Sequence, residues 1–358
     1  MRDIADALAS WRAAGTRFAI ATVVRTWRSA PRQPGAAMAV SEHGEVVGSV
    51  SGGCVEGAVY DLAMECIASG TSVVQTYGVS DDDAFGVGLT CGGVIEILVE
   101  PSDGYQELPV LFDAIRAARP IAVATVPGAG RHLVVGPDAS SGTLGDAGLD
   151  VGVTAHARGM LAQGRTGVVH IGRHGEQRHD ELTVFVQSFS PPPRMIVFGA
   201  IDFAGAVARI GKYLGYHVTV CDARPVFATP ARFPDADEVV VAWPHHYLDD
   251  TVVDERTVLC VLTHDPKFDV PVLERALRTR AAYIGAMGSR RTHEDRIERL
   301  RAAGLDDAEL ARLSSPIGLD LGARTPEETA VAIAAEIIGL RWGGTGRRLR
   351  DTDLDIHR

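Results

Sequence analysis

Apolar residues follow two different patterns along the chain, and the pattern changes near residue 190. Before that point short apolar runs dominate, and they predict strands over residues 17–25, 35–50, 94–99, 121–126 and 182–189. Ile4, Leu8 and Trp11 fall on one helical face, so residues 1–15 predict an amphipathic helix. The Gly- and His-rich stretch from residue 128 to 180 gives no clear pattern. This half is therefore expected to be an α+β domain.

After residue 194 short apolar strands alternate with helical segments. The strands are predicted at residues 195–198, 217–221, 238–242, 258–262 and 281–285, with a helix at 203–214 after the first of them. Such alternation is typical of a parallel sheet, so the fold class is α/β with a C-terminal Rossmann-like domain. The last helix should begin at a capping box formed by Thr325 and Glu328, with Pro326 in its first turn, and end near residue 340.

The domain boundary is predicted at the proline run Pro191-Pro192-Pro193, because consecutive prolines form a stiff extended linker. The expected domains are residues 1–190 and 194–342, followed by a flexible Gly/Arg/Asp-rich tail at 343–358. With 358 residues, two domains of ordinary size are expected.

Charge and cysteine content exclude several classes of function. A formal net charge of −11 argues against broad binding of nucleic acid or an anionic membrane. Five cysteines without a Cys-x-x-Cys pair argue against a disulfide framework and a structural zinc site. Neither a signal sequence nor a membrane span is recognisable, so a cytoplasmic location with reduced thiols is expected.

The sequence Ser51-Gly52-Gly53-Cys54 is the most informative motif of the chain. It follows a predicted strand and precedes an apolar pattern with helical spacing. Glycines let the backbone approach a ligand closely, and a helix start is expected to leave backbone N–H groups free for an anion. Cys91-Gly92-Gly93 repeats the thiol beside two glycines. The alternative interpretation is two buried cysteines beside tight turns.

Residues 199–205 lie where a dinucleotide-binding loop would lie, after the first strand of the C-terminal domain. Gly199 begins the loop, and Asp222 ends the next strand at the position of a ribose-binding acid. Ile201 replaces the second glycine of the fingerprint, and Asp202 adds a negative charge where phosphate would bind. Binding of NAD(P) is therefore expected to be weak or absent. The alternative interpretation of Asp222 is that it is a helix cap or a turn residue and binds no ribose.

Two other strand ends carry polar residues. His264 and Asp265 follow one predicted strand, and Ser289 with Arg290 follows another. Carboxyl ends of parallel strands meet at one edge of the sheet, where open α/β folds bind ligands. A serine, a helix start and arginines would form a cradle for a phosphate-sized anion. A structural role for the His-Asp pair stays open.

Specific motifs occur along most of the chain, at residues 34–38, 48–56, 91–93, 221–225, 263–265, 283–290, 315–320 and 325–328. On these motifs the sequence resembles the XdhC/CoxI family, the accessory factors of xanthine dehydrogenase and related molybdenum hydroxylases. The first Rossmann loop departs from the family's usual Gly-Ala-Gly-His, since it reads Gly199-Ala200-Ile201-Asp202.

This resemblance implies a protein that binds molybdenum cofactor, in its molybdopterin or dinucleotide form, and holds it for sulfuration by a cysteine desulfurase. It would then assist insertion into an apo molybdenum hydroxylase of the xanthine dehydrogenase or CO dehydrogenase type, as a cofactor-binding chaperone more than as an enzyme. A homo-oligomer is expected, and no catalytic residue is predicted. Cys54 is the candidate for the thiol facing molybdenum, Cys91 is second, and Ser289 and Arg290 are candidates for phosphate contact. The remaining predicted cofactor-binding residues are Ser51, Gly52, Gly53, Gly199, Asp222, His264 and Asp265.

Three other functions stay open from sequence. One is an NAD(P)-dependent oxidoreductase built on the C-terminal domain. Another is a thiol enzyme with Cys54 as nucleophile, for which no histidine partner is identifiable. The third is a non-catalytic scaffold that docks the hydroxylase.

Overall fold

The structure is a computed structural model of the chain, and it describes residues 1–27, 30, 32–78, 93–177 and 179–353. The chain divides into two compact units, whose main bodies are Met1–Pro191 and Pro192–Thr352. Within the described ranges, no helix has the length and apolar character needed to cross a membrane.

The first half of unit 1 builds one antiparallel sheet, in the order β3-β2-β1-β5-β4. Its elements are α1 (Ala5–Ala13), β1 (Phe18–Trp27), β2 (Ala37–Ser41), β3 (Val46–Gly48), α2 (Glu56–Ser69), β4 (Val73–Tyr77) and β5 (Val94–Pro101). The single strand predicted over residues 35–50 is wrong, because β2 and β3 form a hairpin. Gly44 turns the chain with a φ of +83°, and the Ser41 hydroxyl accepts a hydrogen bond from the Glu45 N–H.

The second half of unit 1 builds another antiparallel sheet, in the order β8-β7-β6-β10-β9. Its elements are α3 (Leu108–Arg116), β6 (Ile121–Thr125), β7 (His132–Val135), β8 (Ser140–Gly142), α4 (Ala147–Gln163), β9 (Gly167–Ile171) and β10 (Leu182–Phe189). Helix α4 lies in the stretch that gave no clear pattern. Its cap at Asp146 and its buried residues four apart, from Leu149 to Leu161, are signals that could have revealed it.

The two sheets of unit 1 share a hydrophobic core. Ile20 of β1 packs in one buried cluster with Val123 of β6 and Phe189 of β10, and α3 contributes Leu108 and Phe112. The two halves are therefore held together by burial of apolar surface.

Unit 2 is a six-stranded parallel sheet in the order β13-β12-β11-β14-β15-β16, which confirms the predicted Rossmann-like fold. Its elements are β11 (Arg194–Phe198), α5 (Asp202–Tyr213), β12 (His217–Asp222), β13 (Glu238–Val241), α6 (Pro244–Asp250), β14 (Val258–Val261), α7 (Pro266–Ala276), β15 (Tyr283–Ala286), α8 (Arg290–Ala302), α9 (Asp307–Leu310), β16 (Leu313–Ser314) and α10 (Pro326–Trp342). The strand order reverses between β11 and β14. Open α/β sheets bind ligands outside the carboxyl ends of the strands at such a point.

Helix α10 begins where the sequence predicts. The Thr325 hydroxyl accepts a hydrogen bond from the Glu328 N–H, and the Glu328 carboxylate accepts one from the Thr325 N–H. This confirms the capping box. The helix runs to Trp342, beyond the predicted end near residue 340, and Gly343 terminates it in the left-handed conformation.

Candidate functional site

Cys54 lies in the loop between β3 and α2, and the carboxylate of Glu56 organises that loop. Glu56 is the first residue of α2. Its Oε1 accepts hydrogen bonds from Ser49 Oγ at 2.7 Å and from Ser51 N at 2.9 Å. Its Oε2 accepts one from Gly53 N at 2.8 Å. The loop therefore contains its own anion.

The prediction that the N–H groups at this helix start are free for an anion fails for the two residues that lead into α2. The N–H groups of Cys54 and Val55 both donate to Ser51 Oγ, at 2.9 and 3.1 Å. Acidic and hydroxyl side chains are favoured at a helix N-terminus for this reason, since they satisfy donors that lack a partner in the helix. Ser51 and Gly53 thus stabilise the loop that carries Cys54 through hydrogen bonds within that loop.

The pKa of Glu56 reflects this arrangement. Burial by itself would raise the pKa, but hydrogen bonds from Ser51, Ser49 and the backbone outweigh burial and lower it to about 2. The carboxyl group is therefore ionised at neutral pH.

We expect Glu56→Gln to destabilise the protein at neutral pH by about 1 kcal/mol, because the pKa lies well below the 4.5 of an ordinary glutamate and solvent screening weakens the effect at a partly exposed carboxylate. A lowered carboxyl pKa stabilises the folded state fully above pH 4.5, and this contribution is lost as the pH falls through the folded value near 2. Urea unfolding of both proteins between pH 7 and pH 3 measures the difference. A constant difference across this range would contradict the assignment.

Cys54 is the most accessible thiol that the structure describes. Its side chain is partly exposed, whereas Cys66, Cys221 and Cys260 are buried. Burial raises the pKa of Cys66, and it raises that of Cys221 and of Cys260 to about 12, so these three thiols are poor ligands. Cys54 lies between β3 and α2 and is partly accessible.

The backbone beside Cys54 is open. Gly52 and Gly53 have φ values of +77° and +117°, and a Cβ atom on either would meet no atom within 4 Å. Side chains at these positions would be strained by the backbone conformation, not by crowding. The two glycines therefore leave space for a ligand beside the thiol.

Cys91, the second thiol candidate, lies outside the described residues. In the part of the chain that is described, no three His, Cys, Asp or Glu side chains are grouped so as to hold a metal ion.

A cleft of about 380 Å³ opens at the carboxyl ends of β14 and β15 in unit 2. It brings together two predicted residues, His264 and Ser289, and adds an apolar wall that includes Phe203, Met287 and Ile317. Mixed apolar and polar lining is typical of small-molecule sites.

Ser289 caps helix α8 at the cleft. Its hydroxyl accepts a hydrogen bond from Thr292 N at 3.1 Å, and among the described residues none accepts from the backbone N–H groups of Arg290 and Arg291. A helix start with open N–H groups attracts anions. Arg290 is exposed next to the cleft but does not line it.

His264 and Asp265 are adjacent in sequence but differ in role. His264 lines the cleft, and its Nδ1 lies 3.0 Å from the Leu262 carbonyl oxygen. Asp265 instead caps α7 through Lys267 N and pairs with Lys267 Nζ at 2.9 Å. The hydrogen bonds from Lys267 lower the Asp265 pKa. The predicted ligand role of Asp265 thus gains no support, since this carboxylate is used as a cap.

A buried ion pair next to the cleft was missed by the sequence reasoning. Arg296 Nη2 lies 2.9 Å from Asp269 Oδ2, with both side chains almost fully buried, and Thr263 donates to the same carboxylate. Arg296 also donates to the Met287 carbonyl at 2.7 Å and to Ser315 Oγ at 3.0 Å. Helix α8 is highly polar, so nothing in its sequence singles out Arg296. Through these hydrogen bonds Arg296 stabilises the chain at Met287 and Ser315, beside the cleft.

Asp222 forms a second ion pair, with Arg224. Both oxygens of Asp222 accept from the Arg224 guanidinium, at 2.9 and 2.8 Å, and Oδ2 also accepts from Ala200 N at 2.7 Å. Burial raises the Asp222 pKa, but the bonds from Arg224 and Ala200 outweigh it and lower the pKa. The predicted ribose-binding acid is thus already occupied. Gly199 has a φ of +111° and contacts Thr263 so closely that a Cβ would lie 3.0 Å from it.

We expect isothermal titration with NADH or NADPH to show no binding in the micromolar range. Asp222 is occupied by Arg224, and the side chains of Ile201 and Asp202 stand at the pyrophosphate position. Micromolar affinity would contradict this prediction and favour an oxidoreductase.

Known families and proteins match the chain over most of its length. The family described as "XdhC and CoxI family" matches residues 11–78, and the "XdhC Rossmann domain" matches residues 195–337. A probable xanthine dehydrogenase subunit of Bacillus subtilis (strain 168) is 28% identical over 90% of this chain and 92% of its own length. The "Molybdenum cofactor insertion chaperone PaoD" of Escherichia coli (strain K12) is 27% identical over 95% of this chain and 87% of its own length.

A solved structure has the same architecture. The crystal structure of a xanthine dehydrogenase from Bacillus halodurans aligns with a TM-score of 0.67 at 25% identity and covers 98% of both chains. The parallel sheet and these matches define an α/β protein that carries an XdhC-type Rossmann domain. The chain belongs to the XdhC and CoxI family.

Proposed function

We propose that this protein binds molybdenum cofactor, holds it for sulfuration by a cysteine desulfurase, and assists its insertion into an apo molybdenum hydroxylase of the xanthine dehydrogenase or CO dehydrogenase type. The cofactor is cargo in this function. Cofactor insertion extends to this chain what the name of the Escherichia coli relative states for that protein, whereas sulfuration, the desulfurase and the CO dehydrogenase type are implied by the family resemblance.

The observation that carries the proposal is the exposure of Cys54 on the open Gly52-Gly53 loop. The other described thiols are buried, so Cys54 is the one that a ligand can reach. Thiolates are soft ligands that suit metals already bound to sulfur, as molybdenum is in a dithiolene. The hydrogen bonds to Glu56 hold this loop in one conformation, so the thiol is presented on a preformed backbone.

The cleft in unit 2 supports binding of the phosphate end of the cofactor. Its Ser289 hydroxyl and the start of α8 supply donors for an anion, while Phe203 and Met287 supply apolar contact. A strongly acidic protein needs such local donors to bind an anionic ligand. His264 adds a ring nitrogen beside the same space.

Anaerobic purification of the full chain from cells that make molybdenum cofactor tests the proposal. We expect molybdenum and pterin to copurify in equal amounts, measured by elemental analysis and by fluorescence of the oxidised pterin. Transfer of both to an apo hydroxylase should then restore its activity. Purified protein without either component, after anaerobic handling, would refute the cofactor-binding function.

Arg290→Ala is expected to weaken cofactor binding by about 1.5–3 kcal/mol, the loss of one hydrogen bond to a charged group. The guanidinium stands at the first turn of α8, where the phosphate is proposed to bind. Arg299→Ala provides the control, because this exposed arginine lies in the last turn of the same helix. Equal affinities of the two variants in an anaerobic titration would exclude a phosphate contact by Arg290.

Two other functions are distinguished by the same preparations. A docking scaffold would copurify with the hydroxylase but would retain no molybdenum or pterin. An NAD(P)-dependent oxidoreductase would oxidise NADH or NADPH, and the ion pair of Asp222 with Arg224 disfavours this function.

A further inference from the structure

Unit 1 contains a groove that shares only Pro34 with the motifs above. It has a volume of about 340 Å³ and lies where β1 of the first sheet meets β9 of the second. We call it the Arg25 groove and define it by Arg25, Trp27, Pro34, Val168 and His170. Val168 also belongs to a small apolar cluster with Val24, Leu98 and Phe185, which joins the two sheets behind the groove.

Arg25 is a cation without a counter-ion among the described residues of this groove. Its Nη2 donates to Thr183 Oγ1 at 2.8 Å, but its Nε is buried and has no acceptor in the described part of the chain. Glu96 is the residue opposite Arg25 on β5, yet the two side chains form no ion pair. Leaving a charged donor buried and unsatisfied is unfavourable. An anion in the groove would supply the missing acceptor.

The backbone of β1 is distorted at this arginine. The register with β5 shifts between Val23 and Arg25, as in a β-bulge. Bulges redirect a side chain and occur next to functional sites. The β-bulge and the unsatisfied Nε are therefore two separate features of Arg25.

Two rings complete the groove. Trp27 is 43% exposed and offers an indole face on which a flat ring can stack. His170 is held by Asp180, whose Oδ1 lies 2.7 Å from Nδ1, so its Nε2 is the ring nitrogen that remains for a ligand. A guanidinium, an indole and an imidazole together suit a flat heterocycle that carries a negative charge.

We infer that the Arg25 groove binds a flat heterocyclic ring that bears an anionic group, with Arg25 on the anion and Trp27 on the ring. The inference goes beyond the proposed function, because the Arg25 groove lies in unit 1 and is a different site from the α8 cleft to which the cofactor's phosphate is assigned. It rests on the proposed function only in the choice of a pterin as the heterocyclic probe, and it assigns ligand recognition to Arg25, Trp27 and His170.

Fluorescence anisotropy of 6-carboxypterin, titrated with the full chain, tests the inference, and pterin without the carboxylate is the matched uncharged probe. We expect wild-type protein to bind 6-carboxypterin about tenfold or more tightly than pterin, because only the former carries a charged carboxylate acceptor for Arg25. Arg25→Gln should weaken 6-carboxypterin by about tenfold to a hundredfold and leave pterin nearly unchanged. Trp27→Ala should weaken both probes to a similar degree.

Arg12→Gln is the control, since it removes the same charge from an exposed position in unit 1. Should Arg25→Gln fold poorly by circular dichroism, Arg25→Lys keeps the charge and is expected to bind 6-carboxypterin at an intermediate level. Equal affinity for the two probes, no binding of either, or equal effects of Arg25→Gln and Arg12→Gln would overturn the inference. Cofactor retention is a separate measurement: its absence despite 6-carboxypterin binding would refute the proposed function alone.

Discussion

Replacing Cys54 by serine is expected to abolish retention of molybdenum during anaerobic purification. The substitution exchanges one soft ligand atom for a hard one and changes the side-chain volume little. Metal affinity falls about tenfold to hundredfold when a group that only supports a metal ligand is removed. Molybdenum retention should fall by at least as much when the ligand itself is replaced. The loop itself should persist, because the hydrogen bonds that Glu56 and Ser51 accept come from the backbone and from Ser49, which the substitution leaves in place.

Cys66→Ala is the matched control for this experiment. Cys66 lies on α2 below the loop and is buried, so its thiol is not available to a ligand. The control should retain molybdenum and lose only stability, about 1 kcal/mol for a small core truncation. If Cys54→Ser retains as much molybdenum as Cys66→Ala, the thiol is not the ligand.

Arg296→Met is expected to lower the free energy of unfolding by about 3–5 kcal/mol, the cost of leaving one partner of a buried ion pair uncompensated. Asp269 would remain with both oxygens in the protein interior, and the Met287 carbonyl and Ser315 hydroxyl would lose their donor. Burial raises the pKa of Asp269 while the hydrogen bond with Arg296 opposes this rise, so the carboxylate depends on the arginine. Urea unfolding followed by circular dichroism measures the change.

The double variant Asp269→Leu with Arg296→Met distinguishes a broken ion pair from poor packing. Replacing both partners by apolar residues should recover most of the stability, because no buried charge is left. Arg299→Met, on the exposed side of the same helix, should change stability by less than about 0.5 kcal/mol. A double variant as unstable as Arg296→Met would mean that the ion pair is not the cause.

The architecture of unit 2 was predictable because its signals are local. Each strand is a short apolar run followed by a helix, and the rule that such strands lie parallel places His264 and Ser289 at one edge. Thr325 and Glu328 likewise define a helix start within four residues. In unit 1 the sequence pattern did not reveal α4. It also predicted one strand where β2 and β3 form a hairpin, because the glycine turn between them interrupts an apolar pattern that otherwise resembles a single strand.

The strand and helix pattern of unit 2, the glycine turn at Cys54 and the family of the chain follow from residues that are close together in the sequence. Which polar groups remain available for a ligand depends on the folded arrangement instead. Glu56 occupies the helix start, Arg224 occupies Asp222, and Arg296 is buried against Asp269, while Arg25 Nε is left without an acceptor among the described residues. Whether a charge is satisfied depends on which atoms folding places within hydrogen-bonding distance, and for Arg296 and Arg25 those atoms come from residues 27 and 158 positions away.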